Sequence, residues 1–185
     1  MFTGSLVRLR AYRKEDAPLA QEYMNDPEMK LCLSPGVPYP FTLEDEEKWV
    51  ATNSAMNDTY TFAIEALDSG EYIGGCGAHE IDWKNSKATV GIMIGSKKYL
   101  SRGYGTDAMK VLINFIFNEM NINKISLNVY AFNERAVKSY KKCGFIVEGV
   151  LRQEIFKNGN YHDELRMALL RGDWMSALTA IRINE

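Results

Sequence analysis

Hydrophobic residues recur with two different spacings along the chain, and the spacing changes near its middle. In the first half, short segments rich in β-branched and aromatic residues predict strands. The turn sequences Asp68-Ser69-Gly70 and Lys84-Asn85-Ser86 separate them. Strands joined in this way form an antiparallel meander. The predicted strands are a weakly alternating one over residues 6–11, then Thr59–Leu67, Glu71–Ile81 and Lys87–Ile94.

A helical spacing begins at Gly103–Met120, where the apolar residues fall on one face of a helix. Lys124–Tyr130 then alternates as a strand, and a helix is expected between a capping Asn133 and a terminating Gly144. The dipeptide Asn158-Gly159, between two strand-like segments, predicts a final β-hairpin.

Two further helices are expected before the meander. One runs from Lys14 to Asn25 and stops at Asp26-Pro27, because proline disfavours helical geometry in the residue before it. Residues 31–41, rich in proline, predict a loop, and another helix begins after Thr42 with Asp45 completing a capping box. These elements predict one α+β domain over residues 1–185, with a mixed, largely antiparallel central sheet and helices on both faces.

Composition narrows the class of protein. The chain has 185 residues, 46% of them hydrophobic, and a formal net charge of -2 with both signs spread along it. A nucleic-acid-binding surface needs clustered Lys and Arg, so this balance argues against one. The three cysteines show no metal-ligand spacing, and no segment reads as a signal peptide or membrane span. We therefore expect a cytoplasmic protein without a metal or a membrane partner.

The segment after Ile94 predicts a site for a phosphate group. A strand, the turn Arg102-Gly103-Tyr104-Gly105-Thr106 and a helix start follow one another. The first backbone N–H groups of a helix lack internal partners, and the helix dipole adds positive potential there. Glycines leave those N–H groups accessible to a phosphate, and Arg102 can add charge at the rim. The Walker and dinucleotide fingerprints are incomplete, and glycines that merely shape the turn are an equally open interpretation.

The order of features resembles the GNAT acetyltransferase superfamily. Its motif Gln/Arg-x-x-Gly-x-Gly/Ala is matched by Leu100-Ser101-Arg102-Gly103-Tyr104-Gly105, except that Leu100 replaces the usual Gln or Arg. A second block, from Asn133 to Phe145, looks like the family's helix N-x-x-A-x-x-x-Y-x-x-x-G-F. The chain is most similar to the branch holding ribosomal-protein N-terminal acetyltransferases and spermidine or diamine acetyltransferases.

This resemblance implies a fold, a cofactor and a way of binding it. Acetyl-CoA would place its diphosphate on the turn from Leu100 and Ser101 to Thr106. Its pantetheine arm would lie between two splayed strands, paired with the backbone of Ile92, Met93 and Ile94 as an added strand. Gly91 and Gly95 could permit a bulge there, Met93 or Ile94 could supply an oxyanion N–H, and Asn133 could contact the arm.

The reaction implied by the family also needs an acid and a base. Tyr140 matches the family's helix tyrosine, and a neutral phenol can donate a proton to a departing thiolate; packing alone is the alternative. For the base we select Glu80, because strand alternation places Glu80 and Asp82 on one face and His79 on the other. A solvated strand end is the competing interpretation. The carboxylates of residues 44–47 are read as stabilising a helix dipole, with a polyamine site as the alternative.

The resulting prediction is an acetyl-CoA-dependent N-acetyltransferase that acts on a small amine, a polyamine or a protein N-terminus. Two alternatives keep the fold: a non-catalytic acyl-CoA-binding or sensing module, and a transferase for a longer acyl-CoA. The branch also implies a possible homodimer.

Overall fold

A computed structural model describes residues 1–33, 36–53 and 59–183, with side chains to residue 180. Pro35, part of the predicted loop, lies outside these ranges. Within these ranges, seven strands form one sheet in the order β1-β2-β3-β4-β5-β7-β6, and β4 and β5 are its parallel pair. The strands are β1 (Val7–Arg10), β2 (Tyr60–Ala66), β3 (Tyr72–Asp82), β4 (Lys87–Ile94), β5 (Lys124–Tyr130), β6 (Ile146–Lys157) and β7 (Asn160–Leu170).

The described part of the chain also contains six α-helices, the first of them preceded by a short 3₁₀ turn at Lys14–Asp16. They are α1 (Ala17–Asn25), α2 (Pro27–Leu33), α3 (Leu43–Asn53), α4 (Tyr104–Glu119), α5 (Glu134–Lys142) and α6 (Arg171–Ile183). The α+β class and the meander over β2, β3 and β4 are as the sequence predicts.

The loop predicted from residue 31 was wrong at its start, because α2 extends to Leu33. The first helix ends where predicted, but Pro27 begins another one. Proline is favourable in the first position of a helix, where its missing N–H would be unpaired in any case. Asp26 caps this new helix: its Oδ1 accepts from the N–H groups of Glu28 at 2.9 Å and Met29 at 3.1 Å.

Helix α6 was not assigned from the sequence. Its Trp174 packs against Phe117 of α4, with the ring centroids 5.3 Å apart. This long-range aromatic contact fixes the helix against the body of the protein, and such a contact leaves no local periodic signal.

The two faces of the sheet are covered by different helices. Ile64, Ala78 and Val90 belong to a core that α4 and α5 complete on one face. On the other face Ala63 and Tyr72 pack with Ala20 and Tyr23 of α1. Helices therefore cover both faces, as predicted.

The local signals for turns and caps produce the expected geometry. The Asn133 side chain accepts from the N–H of Ala136 at 3.2 Å, and Gly144 closes α5 with a left-handed φ of 96°. Asn158 and Gly159 both have positive φ in the β6–β7 turn. The Thr42–Asp45 capping box is present, because the Asp45 N–H donates to the Thr42 hydroxyl at 3.2 Å and the Thr42 N–H donates to Asp45 at 2.9 Å.

The feature that creates the site is the short pairing between β4 and β5. Lys87, Ala88 and Thr89 pair with Lys124, Ile125 and Ser126, and the pairing then stops. Beyond Thr89 the strands diverge, so the sheet has a V-shaped opening at its centre.

In the described part of the chain, the longest apolar helix falls short of what a bilayer crossing requires.

Candidate functional site

A cleft of about 1390 Å³ passes through the opening between β4 and β5. At one end it is lined by the start of α4, where Gly103 and Gly105 lie. Its other end is lined by α3 and by the β6–β7 hairpin, through Glu46 and Glu164. The cleft therefore joins the predicted phosphate turn to the opposite side of the sheet.

The α4 turn has the geometry of an anion site. Gly103 is the residue before the first helical turn and has a left-handed φ of 94°, which a residue with a Cβ adopts only with strain. The N–H groups of the first helical turn have no partner within the helix. Gly105 and Thr106 line the cleft at this turn, so their amides are available to a ligand there.

The acidic residue of the same turn is already engaged elsewhere. The Asp107 carboxylate accepts from the backbone N–H groups of Ser5 at 3.2 Å, Leu6 at 2.8 Å and Val7 at 3.1 Å. It ties the N-terminal segment to α4, and these donors offset its charge near the anion site.

Only some of the residues predicted to bind the coenzyme at the turn before α4 direct their side chains into the cleft. Leu100 and Ser101 line it, whereas Arg102 is exposed and donates to the Lys98 carbonyl at 3.2 Å. The Tyr104 side chain is buried, with its hydroxyl donating to Asp68 at 3.0 Å. Tyr104 can thus act at this turn through its backbone alone.

A hydrogen bond joins the first turn of α4 to α5. The hydroxyls of Thr106 and Ser139 lie 2.8 Å apart, and the Cys143 thiol donates to the Thr106 carbonyl at 3.6 Å. The two helices that flank the cleft are therefore held together beside the glycine turn.

The edge of β4 presents alternate residues to the opening. Gly95, opposite Ile73, donates its N–H to that residue's carbonyl at 2.9 Å. Because an antiparallel ladder uses every second residue, Met93 also directs its backbone groups towards β3. Those of Ile92 and Ile94 face the opening. The expectation that Met93 offers free backbone groups is therefore wrong, and Ile94 stays a candidate.

No bulge interrupts β4 at Gly91, since β4 pairs with β3 without a shift from Thr89 to Ile94. At Gly95 the ladder becomes irregular, because the N–H groups of Gly95 and Ser96 both donate to the Ile73 carbonyl, at 2.9 and 3.4 Å. These glycines also serve close packing. A Cβ at Gly95 would lie 2.1 Å from the Tyr23 ring, and one at Gly91 would lie 3.3 Å from the His79 ring.

Tyr140 lies in α5 and lines the cleft with 7% of its surface exposed. Burial raises the pKa of its hydroxyl to about 12, and the neighbouring Cys143 adds to this shift. The phenol therefore keeps its proton at neutral pH. Asn133, at the start of the same helix, also lines the cleft.

Glu80 does not occupy the position that its assignment as the base required. The strand alternation breaks there: Glu80 has φ 50°, and the register between β3 and β4 shifts between His79 and Asp82. The Glu80 carboxylate is exposed and accepts from the Thr89 hydroxyl at 2.9 Å, outside the cleft lining. His79 lines the cleft instead.

Three carboxylates that sequence analysis did not select line the far end of the cleft: Glu46, Glu154 and Glu164. Glu46 is 6% exposed, and burial, followed by the charge of Asp45, raises its pKa. Of the four acidic residues at 44–47, Glu44 instead pairs with Lys48 on the surface at 2.9 Å. One signal for Glu46 was available in the sequence, since it lies three residues before Trp49 and four before Val50, and therefore on the same helix face. In the structure α1 and Tyr12 pack against α3.

Charge is distributed unevenly along the cleft. Lys138 and Lys142 of α5 line it together with the glycine turn, with Glu134 of the same helix paired to Lys138, while Glu46, Glu154 and Glu164 line the other end. The arrangement suits an anionic group at the α4 end and a cationic group at the far end. Within residues 1–33, 36–53 and 59–183, no three His, Cys, Asp or Glu side chains are grouped to hold a metal ion.

Comparison with known proteins agrees with this geometry. The model of the acetyltransferase (GNAT) domain matches residues 7–146. The Bacillus subtilis protein YdaF, named as a ribosomal N-acetyltransferase, is 31% identical over 145 residues, covering 69% of this chain and 79% of YdaF. The spermidine N(1)-acetyltransferase of Escherichia coli is 34% identical over 115 residues, covering 62% of this chain and 60% of that protein.

A solved structure has the same fold. The crystal structure of spermidine N-acetyltransferase from Vibrio cholerae in complex with CoA and spermine superposes with a TM-score of 0.81 at 26% identity, covering 91% of this chain and 98% of that one. The resemblance drawn from the two motifs is thus confirmed. The chain belongs to the GNAT acetyltransferase family and is an N-acetyltransferase of the kind that uses acetyl-CoA.

Proposed function

We propose that the protein transfers the acetyl group of acetyl-CoA to a primary amine by direct attack of the amine on the thioester. The observation that carries this proposal is one continuous cleft, which runs from the α4 amides through the β4–β5 opening, past Tyr140, to a group of carboxylates. A two-substrate transfer needs this connection, because both substrates must reach the same point.

The cleft fits coenzyme A by chemistry and by shape. The amides of Gly103, Gly105 and Thr106 would hold the diphosphate, with Lys138 and Lys142 adding positive charge. The backbone groups of Ile92 and Ile94 would pair with the pantetheine arm as a missing strand does. When bound, the coenzyme supplies an activated acetyl thioester.

Tyr140 is the group that we assign to protonate the departing thiol. Its raised pKa keeps the phenol neutral, and its hydroxyl has no other hydrogen-bond partner among the described residues. A backbone N–H of β4, with Ile94 the candidate, would stabilise the negative charge that develops on the carbonyl oxygen.

The acceptor that the far end favours is cationic. Alkyl ammonium groups carry a positive charge at neutral pH, and Glu46, Glu154 and Glu164 line the space that such a group would enter. Both a small amine or polyamine and a protein N-terminus meet this requirement. The names of relatives support the same two classes, spermidine and ribosomal protein.

The two alternatives receive less support. A sensing module has no need for a protonated tyrosine beside the opening, and that residue is present. A longer acyl group would need depth near Ile92 and Met109, but Met109 is 1% exposed and packed in the core.

We also propose that the protein forms a homodimer through β6. This strand lies at the edge of the sheet, and most of its residues are exposed on both of its faces. Ile146 and Val150 are 62% and 51% exposed, and Phe156 is 57% exposed. An unprotected apolar edge strand is a surface that a second copy can cover.

The proposed reaction is tested by measuring thiol release from acetyl-CoA with three acceptors: spermidine, n-butylamine and a hexapeptide with a free N-terminal serine. We expect at least one of them to be acetylated, with the product identified by mass spectrometry. Tight CoA binding by calorimetry, combined with inactivity towards all three, would instead favour the sensing module.

A further inference from the structure

We propose that Glu154 and Glu164 bind the ammonium group of the acceptor and that Glu164 removes its proton before attack. This inference rests on the proposed acetyl transfer and assigns the two residues that the reaction still lacks. It depends on the shape of the β6–β7 hairpin, on the burial of Glu164, and on the charges that surround it.

A wide irregularity in the β6–β7 hairpin brings the two carboxylates together. Leu151 is opposite Glu164 and Ile155 is opposite His162, so three residues of β6 face the single residue Asp163 of β7. Gln153, at the centre of this bulge, has a left-handed φ of 54°, and its N–H donates to Asp163 Oδ1 at 2.9 Å. The bulge is therefore held by a side chain, and Glu154 follows it to line the cleft.

Glu164 is a buried acid that is open on one side. It is 9% exposed, and its Oε2 accepts from the Asn128 side-chain amide at 3.0 Å. Its other oxygen has no donor among the described residues. No fully buried polar side-chain atom of those residues lacks a partner, so this oxygen is reached from the cleft.

Among the described residues, no ion pair compensates the charge of Glu164. Glu154 on β6 is a second carboxylate, and Asn128 and Tyr130 on β5 are neutral. His162 and Arg166 lie two residues to either side of Glu164 on the same face of β7. No ion pair in the described ranges involves either carboxylate. Glu164 is a buried carboxylate beside the exposed carboxylate of Glu154, and burying such a charge without a cation is costly, which an ammonium group would offset.

The same surroundings suit proton removal. Burial raises the pKa of the Glu164 carboxyl first, and the charge of Glu154 raises it further, while the Asn128 bond lowers it. A carboxylate with a raised pKa is a stronger base at neutral pH. One N–H bond of the ammonium breaks and an O–H bond forms on Glu164, and the freed nitrogen lone pair then forms a C–N bond to the thioester carbonyl carbon. The C–S bond breaks as Tyr140 gives its proton to the departing sulfur. The acylated nitrogen gives its second proton to the Tyr140 phenolate, and the proton held by Glu164 passes to water. Tyr140, on α5, supplies the proton at the sulfur end, so acid and base come from different elements.

The test compares Glu164→Gln, Glu154→Gln and the control Glu148→Gln, a β6 residue that pairs with Lys124 away from the cleft. The acceptors are the three named above, and calorimetry of CoA binding shows that each variant is folded. We expect E164Q to lower kcat by about 100-fold or more and to abolish the acidic limb of the kcat/KM profile. E148Q should match the wild type.

E154Q should raise KM for the amine about tenfold, since one of two charges holding the ammonium is lost. It should also move the acidic limb to lower pH, because removing the Glu154 charge lowers the pKa of Glu164. If E164Q fails to fold, the pH profile of E154Q still tests the proposal. An acidic limb of kcat/KM at the same pH as in the wild type would overturn the assignment of Glu164 as the base. So would an E164Q enzyme with unchanged kcat, or a Glu80→Gln variant that loses the limb instead. Inactivity of the wild type with every acceptor counts against the transferase proposal as well.

Discussion

At the scale of single residues, burial decides which groups can do chemistry. Tyr140 and Tyr23 are both 7% exposed, yet the first lines the cleft and the second packs against Gly95. The sequence motif distinguishes these tyrosines through the family's helix pattern. The structure distinguishes them because the Tyr140 side chain lines the cleft at the β4–β5 opening and the Tyr23 side chain does not.

Tyr140→Phe should lower kcat by about 100-fold or more, because the ring stays but the proton donor is lost. The dissociation constant of CoA should stay the same, since Phe keeps the packing on Phe145. Tyr23→Phe, equally buried but outside the cleft lining, is the matched control. With a pKa of about 12, Tyr140 should cause no loss of activity between pH 7 and about pH 10. Equal rates for wild type and Tyr140→Phe would remove Tyr140 from the mechanism.

Residue identity alone could not place the carboxylates. Glu80 was selected because a regular strand alternates its side chains, and the bulge at that position breaks the alternation. Glu154 and Glu164 were not selected because they meet across a second irregularity, between residues ten apart in the chain. Bulges depend on how two strands fit together, and the sequence of one strand carries no clear sign of them.

At the scale of elements, the signals that were read correctly are local. The capping Thr42 and Asn133, the turn at Asn158-Gly159 and the apolar face of α4 each lie within a few residues of the structure that they dictate. Helix α2 was missed because a proline that ends one helix can also begin the next. The glycine turn before α4 is the element with the most direct consequence for binding.

Gly103→Ala should weaken CoA binding, because φ 94° is strained for alanine and a Cβ there would lie 3.3 Å from Leu6. The left-handed conformation costs roughly 1–2 kcal/mol of stability. Gly159→Ala has a comparable φ of 77° with nothing within 4 Å of the added carbon, and serves as the control. Both variants should lose stability in denaturant titrations, while Gly103→Ala alone should raise KM for acetyl-CoA. An equal KM for the two would show that the turn does not hold the coenzyme.

At the scale of the whole molecule, the exposed β6 edge of the sheet predicts a homodimer, which a mass measurement can detect. Light scattering on a sizing column should give twice the 21.0 kDa mass of one chain. Val150→Asp should return it to one chain, because a charge on the apolar edge opposes its burial. Leu67→Asp, at a residue 44% exposed beyond the end of β2, should leave the mass unchanged. A wild-type mass of one chain at micromolar concentration would contradict the dimer.

Among the described residues, the ladder between β4 and β5 has three residue pairs, and it joins the first four strands of the sheet to the last three. Coenzyme A bound in the gap beyond these pairs would contact both parts of the sheet and so stabilise their association. A ligand present at about 100 times its dissociation constant adds about 2.7 kcal/mol to folding stability. The durability of this enzyme in a cell, including its resistance to proteases, should therefore follow the supply of its own acetyl donor.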